Sequence, residues 1–437
     1  MNDETTRWQA AIDAASAAGG GEVRIGRGEH LSGQLVLKSH VRLVLEEGAR
    51  LVGSPHPADY RDLSPQRALP GFHATQTLGF KGLVLAENAE DIAILGPGTL
   101  DGNGGAFPKV DSLGRRPRLV HFRNCRGVRI EGVTLQNSPR WTCFLQECEG
   151  VVVRRVRIDG HANFNNDGFD IEARDVLVED CDIDCGDDGI CLKSFNPHFS
   201  VENVRIRNCR VASNCNFLKL GAHGLGVFRD IDFRDCILHP CRTNENAHRW
   251  DKWDPPIPGL RADVSGLAGI AVEMVDGGIL ENVRFSGIDM TVGGPQTPIF
   301  IRLGRRSEHP SGKPSRLENV TIENVRARAE SAIASSITGV PGLRPRGIVL
   351  RDVEIVSPGG GTKADTAADV PESEADYPEN RMFGNLPLPA FGLYVRHADE
   401  VVLERVRFSL APGSADARPP VAADDSTVFR PDSENEP

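Results

Sequence analysis

Aromatic residues are scarce, at 6% of 437 residues, with 4 Trp and 3 Tyr. Basic charge is not in excess: 50 Lys and Arg stand against 61 Asp and Glu, a formal net charge of −11. That balance argues against nucleic acid as a partner, since phosphate-backbone binders concentrate basic residues on one face. No run approaches the roughly eighteen apolar residues of a membrane-spanning helix, and no membrane partner is expected. The opening residues, MNDETTRWQAAIDAASAAGG, carry no basic-then-apolar signal pattern. As it stands the chain reads as cytoplasmic, and as secreted or periplasmic if a leader has been removed. Ten cysteines are present without one CxxC pair, which argues against a structural zinc site. No metal and no other cofactor is expected.

Helical periodicity is also rare. It is confined to the first twenty residues, where TRWQAAIDAASAAGG reads as one helix closed by glycines. What fills the rest is a repeat. Short Val- and Ile-rich segments recur as GVRI at 127, GVVV at 150, DVLV at 175, NVRI at 203 and DIDF at 230. Each alternates apolar with polar residues and is bounded by Asn, Asp or Gly. A period in the twenties with several short strands per unit marks a solenoid. The L-x-x-L-x-L frame of leucine-rich repeats is missing, so the expected fold is all-β: a right-handed parallel β-helix with about three sheets, its first end capped by the opening helix.

Residues 1–410 form the expected β-helix domain, and 411–437 a strand remnant with a polar, partly flexible tail. Two loops interrupt the rhythm, at 240–265 and 357–390. The first carries Trp250 and Trp253, for which sugar stacking and simple loop anchoring are both open. Cys125, Cys148, Cys181, Cys209 and Cys236 recur once per unit, which predicts small buried thiols stacked at one coil position and not disulfides.

Two acidic stretches share one local frame. NFNNDGFDIE begins at 163, and CGDDGICLKS follows at 185. Because strand side chains alternate, Phe169, Ile171, Ile190, Leu192, Leu218, Leu220, Ile270, Val272, Ile299 and Ile301 are expected to face inward. The outward column then holds Asp170 and Glu172, Cys191 and Lys193, Phe217 and Lys219, Ala271 and Glu273, Phe300 and Arg302. Rungs lie about 4.8 Å apart, so Asp167 and Asp188, each just before a Gly, fall on adjacent coils with Asp187 beside them. Singly, such residues read as turn chemistry or a surface ion ladder. Together, three carboxylates repel unless something uses them. Paired carboxylates are the machinery of glycosidic cleavage, one as acid and one activating water. A long open groove suits a carbohydrate polymer as substrate.

NNDGFDI followed by DDGICLKS resembles the N-x-D and D-D motifs of family 28 glycoside hydrolases, the polygalacturonases and their relatives, which have a pectin-lyase-like solenoid fold. AGGGEVRIGRGEHLSGQLVLKSHVRLVLEEGARLVGSP, ILGPGTLDGNG and VTLQNSPRWT are similar to the way such proteins begin, and the likeness runs over residues 5–410. It implies Asp187 as general acid, with Asp167 and Asp188 activating water for single-step inversion. Two family motifs depart. Asn216 stands where the G-H-G histidine is found, with His223 about one strand length later. Ala271 and Glu273 stand where an R-x-K pair holds a uronate carboxylate. Either Lys219 and Arg302 take over the anion, or Glu273 contacts hydroxyls of a neutral sugar. Lys193, Asn216, Lys219, His223, Trp250, Trp253, Glu273 and Arg302 are the expected substrate-binding residues. A Ca²⁺-dependent uronate lyase and a non-catalytic carbohydrate-binding β-helix are the competing readings.

Overall fold

The computed structural model describes residues 3–63, 79–109, 114–243, 267–293, 297–307, 312–383 and 387–431. Trp250 and Trp253 lie outside them. The chain divides into two compact units: Met1–Cys191 with Glu202–Arg210 and Glu245–Ala247, and Leu192–Val201 with Val211–Asn244 and His248–Pro437. Each is built from the coils of a right-handed parallel β-helix, as the repeat predicts.

In the first unit, the helix Thr5–Ala17 buries Trp8 and Ile12. Gly19, Gly20 and Gly21 follow it at φ +91, +126 and +154, backbone that L side chains rarely adopt. The helix docks by Gln9, whose Nε2 donates to the Val36 carbonyl at 3.1 Å and whose Oε1 accepts the Val36 N–H at 2.8 Å. That side chain therefore hydrogen-bonds like a neighbouring strand and covers an otherwise open edge.

Three parallel sheets follow. One stacks Gly21–Ile25, Val41–Leu45, Glu90–Leu95 and Arg126–Glu131. A second stacks Gly28–Ser32, Ala49–Gly53, Thr99–Asp101, Thr134–Gln136, Arg157–Gly160 and Asp182–Cys185. The third, which carries the acidic stretches, stacks Gly82–Glu87, Arg118–Arg123 and the leading halves of Cys143–Arg154 and Phe169–Glu179.

Corners between sheets use a short polar residue in the left-handed region followed by a small buried one. Asn124 (φ 51) precedes Cys125, and its Nδ2 donates to Asn88 Oδ1 at 2.6 Å on the neighbouring coil. Asn and Asp tolerate this conformation, and stacking satisfies their side chains. All ten cysteines carry thiols, nine of them buried. They do not, however, share one position. Cys125 and Cys148 stack with Ala173 at one corner, while Cys181 and Cys209 follow Val156 at another. The sequence shows only a spacing; which corner each cysteine occupies depends on strand lengths between corners.

The second unit stacks Asn216–Gly224, Ala268–Met274, Thr297–Leu303, Ser335–Thr338, Leu393–Arg396 and Val421–Asp424 in one parallel sheet. The long strands Ile279–Val292, Arg316–Ala329, Arg346–Ser357 and Asp399–Leu410 supply its other walls. The excursion after 357 folds back on the first of these sheets. Val370, Met382, Phe383 and Leu388 pack on Ala271, Phe300 and Tyr394 in a second apolar cluster.

The inward set behaves as expected: all ten residues from Phe169 to Ile301 are fully buried. The outward column does not form an open groove. Asp170, Glu172, Lys219, Glu273, Phe300 and Arg302 are each at most 2% exposed. In the second unit the excursion accounts for Phe300. The column is also misaligned at one coil. Lys219 pairs with Ala271 and Phe300, not with Glu273 and Arg302, so Phe217 falls two residues earlier than expected.

Candidate active site

The acidic stretches meet in the first unit. Cys143 pairs with Phe169, and Thr142 N–H donates to the Asp167 carbonyl at 2.9 Å. One coil on, Gly168 N–H donates to the Asp188 carbonyl at 2.8 Å and Phe169 N–H to the Gly189 carbonyl at 3.0 Å. Asp167–Gly168 and Asp188–Gly189 are thus in register on successive coils. Glycine is needed for the approach: a Cβ on Gly168 would lie 2.4 Å from the Gly189 carbonyl oxygen. The shared frame in the sequence is a shared place in space.

Asp167, Asp187 and Asp188 are 3%, 9% and 4% exposed, so all three are largely withdrawn from bulk water. Asp188 N–H donates to Asp187 Oδ1 at 2.9 Å. Carboxylate oxygens of Asp187 and Asp188 approach within 4.8 Å. Asn165 Nδ2 faces Asp187 Oδ2 at 3.5 Å, and Asn165 is itself oriented by Arg116, whose Nη2 donates to its Oδ1 at 2.9 Å. Arg116 also donates to the Phe164 carbonyl at 2.6 Å. Nothing in the spacing of the sequence marks Arg116, which acts across 49 residues.

A buried polar chain precedes the acids in the same sheet. His121 Nε2 lies 3.1 Å from Gln146 Oε1, and Arg118 Nη1 lies 3.4 Å from His121 Nδ1. Burial, then the Arg118 charge, holds His121 well below the ordinary histidine range, so the ring is neutral. Burial also lowers Arg118 to about 9, with Arg140 pushing the same way and Asp170, Asp62 and Asp167 opposing.

The other expected binding residues among those described lie in the second unit. Asn216 is fully buried, and Lys193 is 5% exposed. Lys219 Nζ lies 3.4 Å from Glu273 Oε2 and 3.3 Å from the Tyr377 hydroxyl. Arg306 pairs with Asp276, and its Nη2 lies 3.4 Å from His223 Nδ1. His223 is held well below its ordinary range, first by burial and then by Arg306, Lys193 and Lys219. Lys219, His223 and Glu273 are therefore brought into one cluster. Arg306, Asp276 and Tyr377 belong to it and carry no sequence signal: Asp276 and Arg306 sit in turns just past the strands Ala268–Met274 and Thr297–Leu303, and the excursion after 357 delivers Tyr377. Arg302 is not placed for substrate. Its guanidinium donates to the carbonyls of Gly339 at 2.8 Å, Glu372 at 2.6 Å and Ser373 at 3.1 Å, which ties down the excursion.

Parallel coils with three carboxylates gathered on one sheet make this a β-helix protein with an acidic centre. Its sequence is similar to those of polygalacturonases. The family model for glycosyl hydrolases family 28 matches residues 67–216, a stretch containing all three aspartates. A protein described as a probable polygalacturonase from Arabidopsis thaliana is 29% identical over 184 residues, covering 36% of this chain and 40% of that protein. An endo-polygalacturonase from Pectobacterium carotovorum subsp. carotovorum is 22% identical over 344 residues, covering 75% and 77%. The match thus spans well under half of the Arabidopsis protein. Among solved structures, an exopolygalacturonase from Thermotoga maritima superposes with a TM-score of 0.68 at 21% identity, covering 93% of this chain and 88% of that one.

Proposed function

We propose that the protein is a glycoside hydrolase acting on a pectic polysaccharide or oligosaccharide by single-step inversion. The observation that carries this reading is the in-register pair Asp167–Gly168 and Asp188–Gly189, with Asp187 fixed beside it by the Asp188 N–H. Asp187 is the general acid. Its Oδ1 accepts from the Asp188 N–H and its Oδ2 faces Asn165 Nδ2, which together orient the carboxyl that gives its proton to the leaving oxygen. Asp167 and Asp188 orient and deprotonate water on the opposite side of the sugar ring. The Asp187 and Asp188 carboxylates, within 4.8 Å of each other, resist ionising together, which favours one retained proton in the pair. Lys193, Lys219, His223 and Glu273 are candidate contacts for sugar oxygens.

Incubation with pectic fragments, followed by proton NMR of the anomeric products, tests the reading. Release of a β- or α-anomer opposite to the substrate linkage supports it. An unsaturated product, or no cleavage of any fragment, would sink it.

A further inference from the structure

Stepping back two residues from the pairs Val120–Cys143 and Cys143–Phe169 places Arg118, Trp141 and Asp167 in one row of successive rungs. Trp141 is 6% exposed and is the focus of two cations. The guanidinium carbon of Arg118 lies over its ring at 4.9 Å from the centroid, and that of Arg140 at 5.5 Å. Arg118 lies over Phe144 as well, at 5.2 Å. The aromatic faces and the carboxylates of Asp170, Asp62 and Asp167 offset part of the repulsion between the two like charges.

Arg118 is 3% exposed. One of its nitrogens donates to the Gly79 carbonyl at 2.6 Å, while Nε and Nη2 have no hydrogen-bond partner among the described residues. A buried guanidinium with unmet donors is expensive, and the Gln146–His121 chain described above fixes its orientation. Arg140 is half-buried and is the more accessible of the two.

We propose that Arg118, Trp141 and Arg140 form a subsite for a sugar carboxylate, one rung from Asp167. Arg140 binds the carboxylate, and Arg118 positions it and strengthens the local positive field. The subsite replaces the recognition lost where Ala271 and Glu273 stand, and makes a uronate the sugar held next to the acids. This rests on the hydrolase reading and deepens it. The acidic neighbours Asp62, Asp167 and Asp170 oppose an anion, so a planar, bidentate partner for guanidinium is required; a carboxylate provides one.

The test compares oligogalacturonate with its methyl ester, using wild type, Arg140→Gln and Arg140→Lys. Removal of one charge-assisted contact should raise KM for the free acid about 10- to 100-fold. kcat should stay nearly unchanged, the ester should be little affected, and Lys should restore part of the loss. Equal losses on acid and ester, or no loss on either, would overturn the subsite. Calorimetry with trigalacturonate on Asp187→Asn, with and without Arg140→Gln, separates the two claims. Acid binding that weakens with Arg140→Gln keeps the subsite even if no substrate turns over, whereas turnover with an unaltered acid preference removes it and leaves the hydrolase standing.

Discussion

Gly168 donates its N–H to the carbonyl of Asp188 at 2.8 Å, and that single rung brings two aspartates, twenty-one positions apart in the chain, to the same place on successive coils. Their carboxylates gain a fixed separation from the backbone ladder and not from long flexible side chains. Precise placement of this kind is what general acid–base work requires.

Replacement of Asp187 by Asn should lower kcat by about 10²- to 10⁴-fold, the usual cost of removing a general acid. The Asp188 N–H can still donate to the amide oxygen, so circular dichroism and thermal unfolding should stay close to wild type. Near-normal turnover of an unactivated glycoside would remove Asp187 from that role.

Arg116 should act at one remove. Arg116→Ala frees Asn165, which faces Asp187, so kcat should fall about 10-fold while KM moves little, as for a group acting only on the reacting centre. The pH–rate profile should shift on the limb set by the acid. A change in KM alone would make Arg116 a binding residue.

The Lys219–Glu273 pair is 2% and 1% exposed. Glu273→Leu leaves a buried ammonium without its carboxylate, and urea denaturation should register a loss of about 3–5 kcal/mol. The double replacement Lys219→Met with Glu273→Leu should recover most of it. A double variant no more stable than the single would show that the pair is not the unit that matters.

His121 is fully buried and held neutral. Unfolded, the ring titrates near 6.5, so below that pH the unfolded chain binds a proton that the folded chain refuses. Stability contributed at neutral pH is therefore lost as pH falls below about 6.5, by up to about 1.4 kcal/mol per pH unit. Urea denaturation at pH 7.5 and 5.5 should show a smaller drop for His121→Gln than for wild type. Identical drops would mean that another group sets the slope.

Much of this arrangement was legible in the amino-acid order. Val and Ile alternation gave the strands, and the repeated Asp-Gly frame predicted the rung between Asp167 and Asp188, because only glycine admits that backbone approach. Where the frame is absent the reading slipped. NFLKLG has no Asp-Gly to anchor it, so Phe217 was expected in a row that Lys219 occupies. Burial of Ala271 and Phe300 was not legible either, since it depends on the excursion bringing Val370 and Phe383 onto them. Arg140 and Trp141 stand in the quoted VTLQNSPRWT, but their meeting with Arg118 is invisible until the rungs are stacked.

Gln9 imitates a peptide group, giving and taking one hydrogen bond with Val36. A parallel stack is in principle a polymer that grows by adding rungs at its ends, which is also how fibrils lengthen. With its carboxamide seated on the first rung, the stack has a terminator: growth at that end stops because the template is already occupied. Coils can then be inserted or lost in the interior during evolution without exposing a sticky edge, and the number of rungs becomes a free variable of function.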